Sequence, residues 1–305
     1  MTLFTLHSLL AVVILLIQAQ TAPAPASSGD VAKLVAEGFD FLQHGEAQAA
    51  ESAFRQAISL KPGLGEAHHG LGMTLWAEHQ NAAAQRELEI AVQLMPDSAL
   101  PHAALAELLL ATGQPGPARR LLERAVELDP KDAKSRYRLA VLLADVGETK
   151  RSAELLEESI KLRPDFDAAR EQLGLSALRR GDMDAALLQA NTILRSRPRA
   201  AEGHRLMALA LWRQRDAESA LSECAEALTS DPDSQSMMAL EAVGLWKLER
   251  KKDAQRSLVR AYKAQPQIIK SEVFCRLILC DSADIALVND FLKRSRWVVL
   301  PPVTP

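Results

Sequence analysis

Aromatic residues make up only 4% of the 305 positions, and cysteine occurs three times, at Cys224, Cys275 and Cys280. So few rings exclude a core built on aromatic packing; the bulk must come from aliphatic side chains, and alanine with leucine suits close-packed helices. Three cysteines, an odd number without metal-ligand spacing, exclude a zinc or disulfide framework and read as small buried hydrophobes. If Cys275 and Cys280 shared one helix, five steps of about 100° would set them about 140° apart, facing away from each other. A surplus of positive charge is missing as well. The formal net charge is -3, with 36 Lys+Arg against 39 Asp+Glu, and a nucleic-acid binder would need a basic surface to displace counterions from phosphates. The balance drifts only slightly along the chain, from 15 basic and 20 acidic residues over 1–164 to 21 and 19 over 165–305.

Charge is absent altogether before Asp30. Within that stretch Leu9 to Ile17 (LLAVVILLI) is the one long apolar run, nine residues, followed by QAQTAPAPASSG. Nine residues match the apolar core of a signal peptide and fall short of the roughly 20 that span a bilayer as a helix. Residues 1–26 are therefore expected to be an export signal, cleaved between Ala19 and Ala26, with a Pro/Ala/Ser linker; no Lys or Arg flanks Met1, and an uncleaved membrane anchor is the alternative. The mature protein is expected in the periplasm or secreted. No cysteine follows the run, so a lipoprotein anchor is not supported.

Catalytic signatures are missing too. The EAHHG segment with Glu66, His68 and His69 lacks the i, i+4 histidine pair of a zinc-protease helix, and the glycines match no phosphate loop. His68 and His102 could face each other across neighbouring segments, but without a carboxylate they make a poor metal site. No serine or cysteine has the surroundings of an activated nucleophile. No enzyme, cofactor or metal is expected.

What the sequence does have is a period. Prolines at 62, 96, 130, 164, 198, 232 and 266 stand 34 residues apart without a slip, and a period of this length marks stacked helical repeats. With each proline at position 32, the repeats run 31–64, 65–98, 99–132, 133–166, 167–200, 201–234 and 235–268. Position 8 is always small (Gly38, Gly72, Ala106, Ala140, Gly174, Ala208, Ala242), as is position 20 (Ala50, Ala84, Ala118, Ser152, Ala186, Ala220, Ala254). Position 27 is small except at Ile193, and position 24 is large (Phe54, Leu88, Leu122, Leu156, Leu258) except at Ala190 and Cys224. Small residues let helix axes approach, and large ones fill the gaps between them. Gly45, Gly113, Gly147 and Gly181 at position 15 mark a turn between two helices, and each proline ends the second helix. The unit is helix, turn, helix, break. In the fifth repeat Ala190 and Ile193 exchange the usual large and small positions and are expected to compensate each other in volume.

The pattern small, large, small with a closing proline resembles the tetratricopeptide repeat family, as in PHAALAELLLATGQPGPARRLLERAVELDP, and the resemblance covers residues 31–266. It implies an all-α, right-handed superhelical solenoid of seven repeats. Its first helices would line a groove that binds a peptide or protein partner, without catalysis. Residues 269–305 read as a degenerate eighth hairpin that caps the array, followed by a loose tail after Arg296. In the family, positions 2, 5, 9, 12 and 13 face the groove. The candidates here are Phe39, Met73, Trp76, Tyr137, Arg179, Arg205, Leu209, Trp212, Arg213, Trp246 and Lys247. They form an apolar surface with cations in its later half, suited to an amphipathic helix or extended segment with apolar anchors and a few acidic groups. The same tryptophans could instead serve only to pack neighbouring helices. Members that clamp a chaperone's carboxylate tail have asparagine at position 9; no repeat here does, which argues against that partner. Position 4, often tryptophan in the family, is His68, His102, Arg136, Arg170 and His204, and a wetter contact is expected there. Glu241, at the usually apolar position 7, is expected to be wet. A self-associating spacer remains the alternative function, with no catalysis in either case.

Overall fold

The pre-proline residues show how the period becomes structure. Lys61, Met95, Asp129, Arg163, Arg197, Asp231 and Gln265 each stand before a register proline, and their ψ angles lie between 60° and 96°, outside the helical range. The clash of the proline ring with the preceding residue forbids the helix to continue, so every second helix ends there. The computed structural model describes residues 28–299. The proposed signal and linker, and the residues after 299, lie outside them.

The described residues form sixteen α-helices and one short 3-10 turn. They are α1 (Ser28–Gln43), α2 (Ala47–Leu60), α3 (Gly65–Ala77), α4 (Asn81–Leu94), α5 (Ala99–Ala111), α6 (Pro115–Leu128), α7 (Ala133–Asp145), α8 (Thr149–Leu162), α9 (Asp167–Arg180), α10 (Met183–Ser196), α11 (Ala201–Arg213), α12 (Ala217–Ser230), α13 (Gln235–Lys247), α14 (Lys251–Ala264), α15 (Ser271–Ile278) and α16 (Ser282–Val299). Consecutive helices pack as hairpins. The chain divides after Pro130 into two compact units: three hairpins, α1 to α6, lie in the first, and α7 to α16 in the second. α16 carries through Trp297 to Val299, where the sequence pattern had suggested a loose tail.

Each hairpin of the seven repeats turns at position 15 through a left-handed residue. Glycine serves at Gly45, Gly113, Gly147 and Gly181, while His79, Arg215 and Glu249 hold φ of 60° to 68° without being glycine. The left-handed region crowds a Cβ, so these three turns carry a strain of about 1 kcal/mol each.

Inside the units the small positions are sealed. Ala50, Ala57, Ala84, Ala91, Ala118, Ala125 and Ala186 are all fully buried. The large knobs sit against glycine: a Cβ on Gly38 would lie 2.7 Å from the Phe54 ring, one on Gly70 2.3 Å from it, and one on Gly72 2.7 Å from Leu88. Phe54 is thus wedged between its own repeat and the next. The fifth repeat corrects the expectation that Ala190 and Ile193 compensate each other. There the place against Gly174 is taken by Leu206 of the following repeat, 2.3 Å from where a Cβ would stand. Gly203 of that repeat in turn leaves room for Leu194 and Ile193; a Cβ there would lie 2.7 Å from Leu194 and 3.1 Å from Ile193 Cγ2. Volume is conserved across the junction between repeats rather than within one.

Position 4 is a second correction. His68, His102, Arg136 and His204 are at most 9% exposed, so the contact is dry. The His68 ring bridges Glu87 (2.7 Å) and the carbonyl of Pro62 (2.9 Å), and His204 bridges Glu223 (2.7 Å) and the carbonyl of Pro198 (3.0 Å). Arg170 repeats the arrangement on Pro164 O at 3.0 Å and Gln189. In these three repeats the polar residue ties the closing proline of one repeat to the second helix of the next, satisfying a carbonyl at the break between them, whereas His102 bonds Ser98 O and Arg136 bonds Glu158.

Candidate functional site

On a helix, residues spaced i, i+4, i+7 share one face. Positions 5, 9 and 12 of the first helices have this spacing, and in the first unit they form the stripe that is left partly open while the opposite face is sealed. On α3 the stripe is His69, Met73 and Trp76; on α1 it includes Phe39 and Leu42; on α5 it is Ala103, Glu107 and Leu110. All of these are half-buried. Phe39 stacks edge-on to Phe54 at 5.0 Å between centroids and stands 6.1 Å from the His69 ring. Burial pushes the His69 imidazole below its ordinary value, so it is neutral at pH 7, a hydrogen-bonding group set in an otherwise apolar surface. Phe39, Met73 and Trp76 were legible from the sequence as groove candidates, and His69 was not. Its position 5 was the available signal, and the pairing with Phe39 was not legible.

In the second unit the same positions close progressively. Tyr137 is half-buried, with its ring 4.9 Å from Phe166. Arg205 is not a free groove cation: it forks onto Glu171 with two bonds of 2.9 Å and reaches Asp231 at 2.8 Å. Burial pushes the Glu171 carboxyl up, and Arg205 pulls against that shift. Burial likewise raises the Tyr137 phenol, with Glu171 adding to it. Leu209 is 4% exposed, Trp212 0% and Trp246 7%. These three are core residues, which corrects their reading as groove anchors. For Trp246 the reason lies in the C-terminal hairpin, and for Trp212 it lies in part on α13. Trp246 packs on Phe291 of α16 at 5.4 Å, Arg213 donates to the carbonyl of Leu279 at 2.9 Å, and Lys247 stands 4.8 Å over the Trp212 ring. Of the later cations only Arg179 is plainly exposed. Glu241, expected to be wet, is half-buried and ion-paired with Arg260 of α14.

The seat of the C-terminal hairpin is polar at its edge. Asp281 and Asp284 form a reciprocal capping box at the start of α16, with Asp284 N–H on Asp281 (3.0 Å) and Asp281 N–H on Asp284 (3.1 Å). Arg215, from the α11–α12 turn, holds both carboxylates, Asp284 at 2.7 Å. Asp284 is 1% exposed, and a charge so buried persists only when paired in this way. The Asp281 carboxyl is held below the ordinary range by the Asp284 N–H and by Arg215.

Among the described residues, no group of three or more potential metal ligands comes together, and no helix is long and apolar enough to cross a membrane. The architecture, helical hairpins at a fixed step with a closing proline, is that of a helical repeat protein. Tetratricopeptide repeat family profiles match residues 75–142 and 109–173, and a second such profile matches 171–235, together more than half of the chain. The chain belongs to the tetratricopeptide repeat family. No curated protein matches it. Among solved structures, it is similar to a tetratricopeptide repeat protein from Parabacteroides merdae (13% identity, TM-score 0.65, 87% of this chain and 100% of that one). It is also similar to PilW, a type IV pilus biogenesis factor (17%, 0.59, 68% and 96%). A third similar structure is YrrB, a tetratricopeptide protein with an unusual peptide-binding site (18%, 0.50, 61% and 94%).

Proposed function

We propose that the chain is a noncatalytic adaptor that binds a peptide or protein partner on the first-helix stripe of its N-terminal unit. The observation that carries this reading is the half-buried row Phe39, Met73 and Trp76 around the neutral His69. Partly open apolar side chains on a rigid scaffold are what a partner segment buries, while on α11 and α13 the equivalent Leu209, Trp212, Val243 and Trp246 are already buried by the chain's own residues. Family membership and the peptide-binding site of YrrB support the same class of function. An extended segment or amphipathic helix with apolar anchors fits such a stripe. The anionic ends of a partner would be met by exposed Arg179 only if it reached the second unit, so acidic character is not a requirement.

The test is peptide display on the whole chain, followed by calorimetry with the selected peptides. Trp76→Ala and Met73→Ala should each weaken binding by about tenfold or more, the weight of a central apolar anchor. Binding unchanged in both variants would overturn the site. The N-terminal segment completes the proposal: residues 1–26 act as an export signal, and the adaptor works outside the cytoplasm. A fusion of residues 1–30 to a reporter active only after export should be active, and an inactive fusion would remove this part of the reading.

A further inference from the structure

Helix α15 is short. It stops at Ile278 because Leu279 turns into the left-handed region, with φ 54° and ψ 49°. The next residue, Cys280, sends its N–H back to the carbonyl of Cys275 at 3.0 Å, and Leu279 N–H points to the same oxygen. This is a Schellman ending, in which the residue after the left-handed one and the residue five before it are brought face to face and normally make an apolar contact. Here both members of that contact are cysteines. The sequence expectation, that Cys275 and Cys280 point apart, assumed a continuous helix, and the helix ends between them. A backbone hydrogen bond between two residues keeps their α-carbons at about 5 to 6 Å, the spacing that disulfides favour. Both thiols are free, half-buried and close enough to interact with one another.

The turn they flank is also the seat of the C-terminal hairpin. Leu279 O accepts from Arg213, and Asp281 and Asp284 are held by Arg215. Arg215 keeps a left-handed conformation that glycine takes in four other repeats, and the guanidinium is what that position gains.

We propose that Cys275 and Cys280 are an intrachain redox pair, whose disulfide closes the turn after α15 and locks the C-terminal hairpin onto its seat. The oxidant is a low-molecular-weight disulfide such as oxidised glutathione. The Cys275 thiol gives its proton to solvent, and the thiolate attacks one glutathione sulfur. That breaks the glutathione S–S bond and releases one glutathione thiol. Cys280, deprotonated in turn, attacks Sγ of Cys275 and releases the second. One S–S bond is broken and one formed; two cysteine thiols are oxidised, and one glutathione disulfide is reduced to two thiols. Burial raises both thiols above their ordinary value, Cys280 the more strongly, so thiolate is scarce at neutral pH and the exchange is slow. Cys224 does not take part. It is fully buried, its thiol donates to Met237 O at 3.0 Å, and burial pushes it up to about 12.

The experiment treats the whole chain with oxidised glutathione, then denatures, alkylates and weighs it, with hydrogen exchange measured in parallel on native samples. The expected product has lost two hydrogens, about 2 Da, keeps one alkylatable thiol at Cys224, and forms faster at pH 8.5 than at pH 7. Cys280→Ser should stop at a glutathione adduct on Cys275. Exchange over residues 282–299 should slow by about threefold or more in the oxidised chain. A wild-type chain that stops at the same adduct as Cys280→Ser would overturn the pair. So would a folded chain that does not react although the denatured chain does. A disulfide that forms with exchange unchanged would overturn the lock.

Discussion

Gly70→Ala is the substitution that most directly probes how the repeats of the first unit fit together. The new Cβ would stand 2.3 Å from the Phe54 ring, and the ring cannot retreat, because Gly38 approaches it from the other side and Phe54 has no exposed surface. Alanine gains about 1 kcal/mol over glycine in a helix interior. Overpacking costs about 1–3 kcal/mol, and a ring gripped on both sides belongs at the upper end of that range. The net expectation is a loss of about 1–2 kcal/mol. Phe54→Leu alone leaves a void and should also cost about 1–2 kcal/mol. The double variant recreates the pair that the next junction already uses, Leu88 at position 24 and Ala104 at position 6, both buried. It should therefore lie within about 1 kcal/mol of the parent, a favourable coupling of about 2 kcal/mol. Urea unfolding by circular dichroism would measure the totals, with native-state hydrogen exchange over residues 47–77 as the local readout, since repeat arrays need not unfold as one unit. Additivity of the two losses to within about 0.5 kcal/mol would refute conservation of volume across the junction.

Ile193→Ala should destabilise the second unit by about 2–4 kcal/mol through a cavity facing Gly203, and a loss no larger than that of an exposed substitution would contradict the packing. Trp212→Ala should cost about 3–5 kcal/mol and Trp76→Ala about 1–2 kcal/mol, while only the latter weakens peptide binding directly; equal stability losses in thermal melts would count against the different burial of the two rings. Acid should loosen the C-terminal hairpin. The Asp281 carboxyl is held below its ordinary value, so its contribution is present above the unfolded value of about 3.9 and is lost as pH falls through the folded one. Protection of residues 282–299, corrected for intrinsic exchange, should drop as pH falls below about 4 and be less pH-dependent in Asp281→Asn; an unchanged profile in that variant would exclude Asp281 as the titrating group.

The helical hairpins were legible because their causes are local and periodic. A proline forbids the residue before it from staying helical, a left-handed residue turns the chain, and a row of alanines admits a neighbouring helix, all readable at a step of 34 residues. His79, Arg215 and Glu249 show the limit of that reading, since the strain at their turns is set by the hairpin and not by the residue type. The candidate site was legible in part. Position 12 named Trp76, Trp212 and Trp246 alike, yet Trp76 stays half-open while the other two are buried. No local pattern separates them, because burial of Trp246 depends on Phe291, far along the chain. The same holds for Arg205, whose partners are Glu171 on α9 and Asp231 just past the end of α12, and for Cys275 and Cys280, which face each other only because α15 ends early. The sequence by itself determined the hairpins, their spacing and the family. Tertiary structure alone decided which apolar faces remain for a partner, because exposure depends on what packs from a distance, and the returning C-terminal hairpin consumes part of the face that the repeats present.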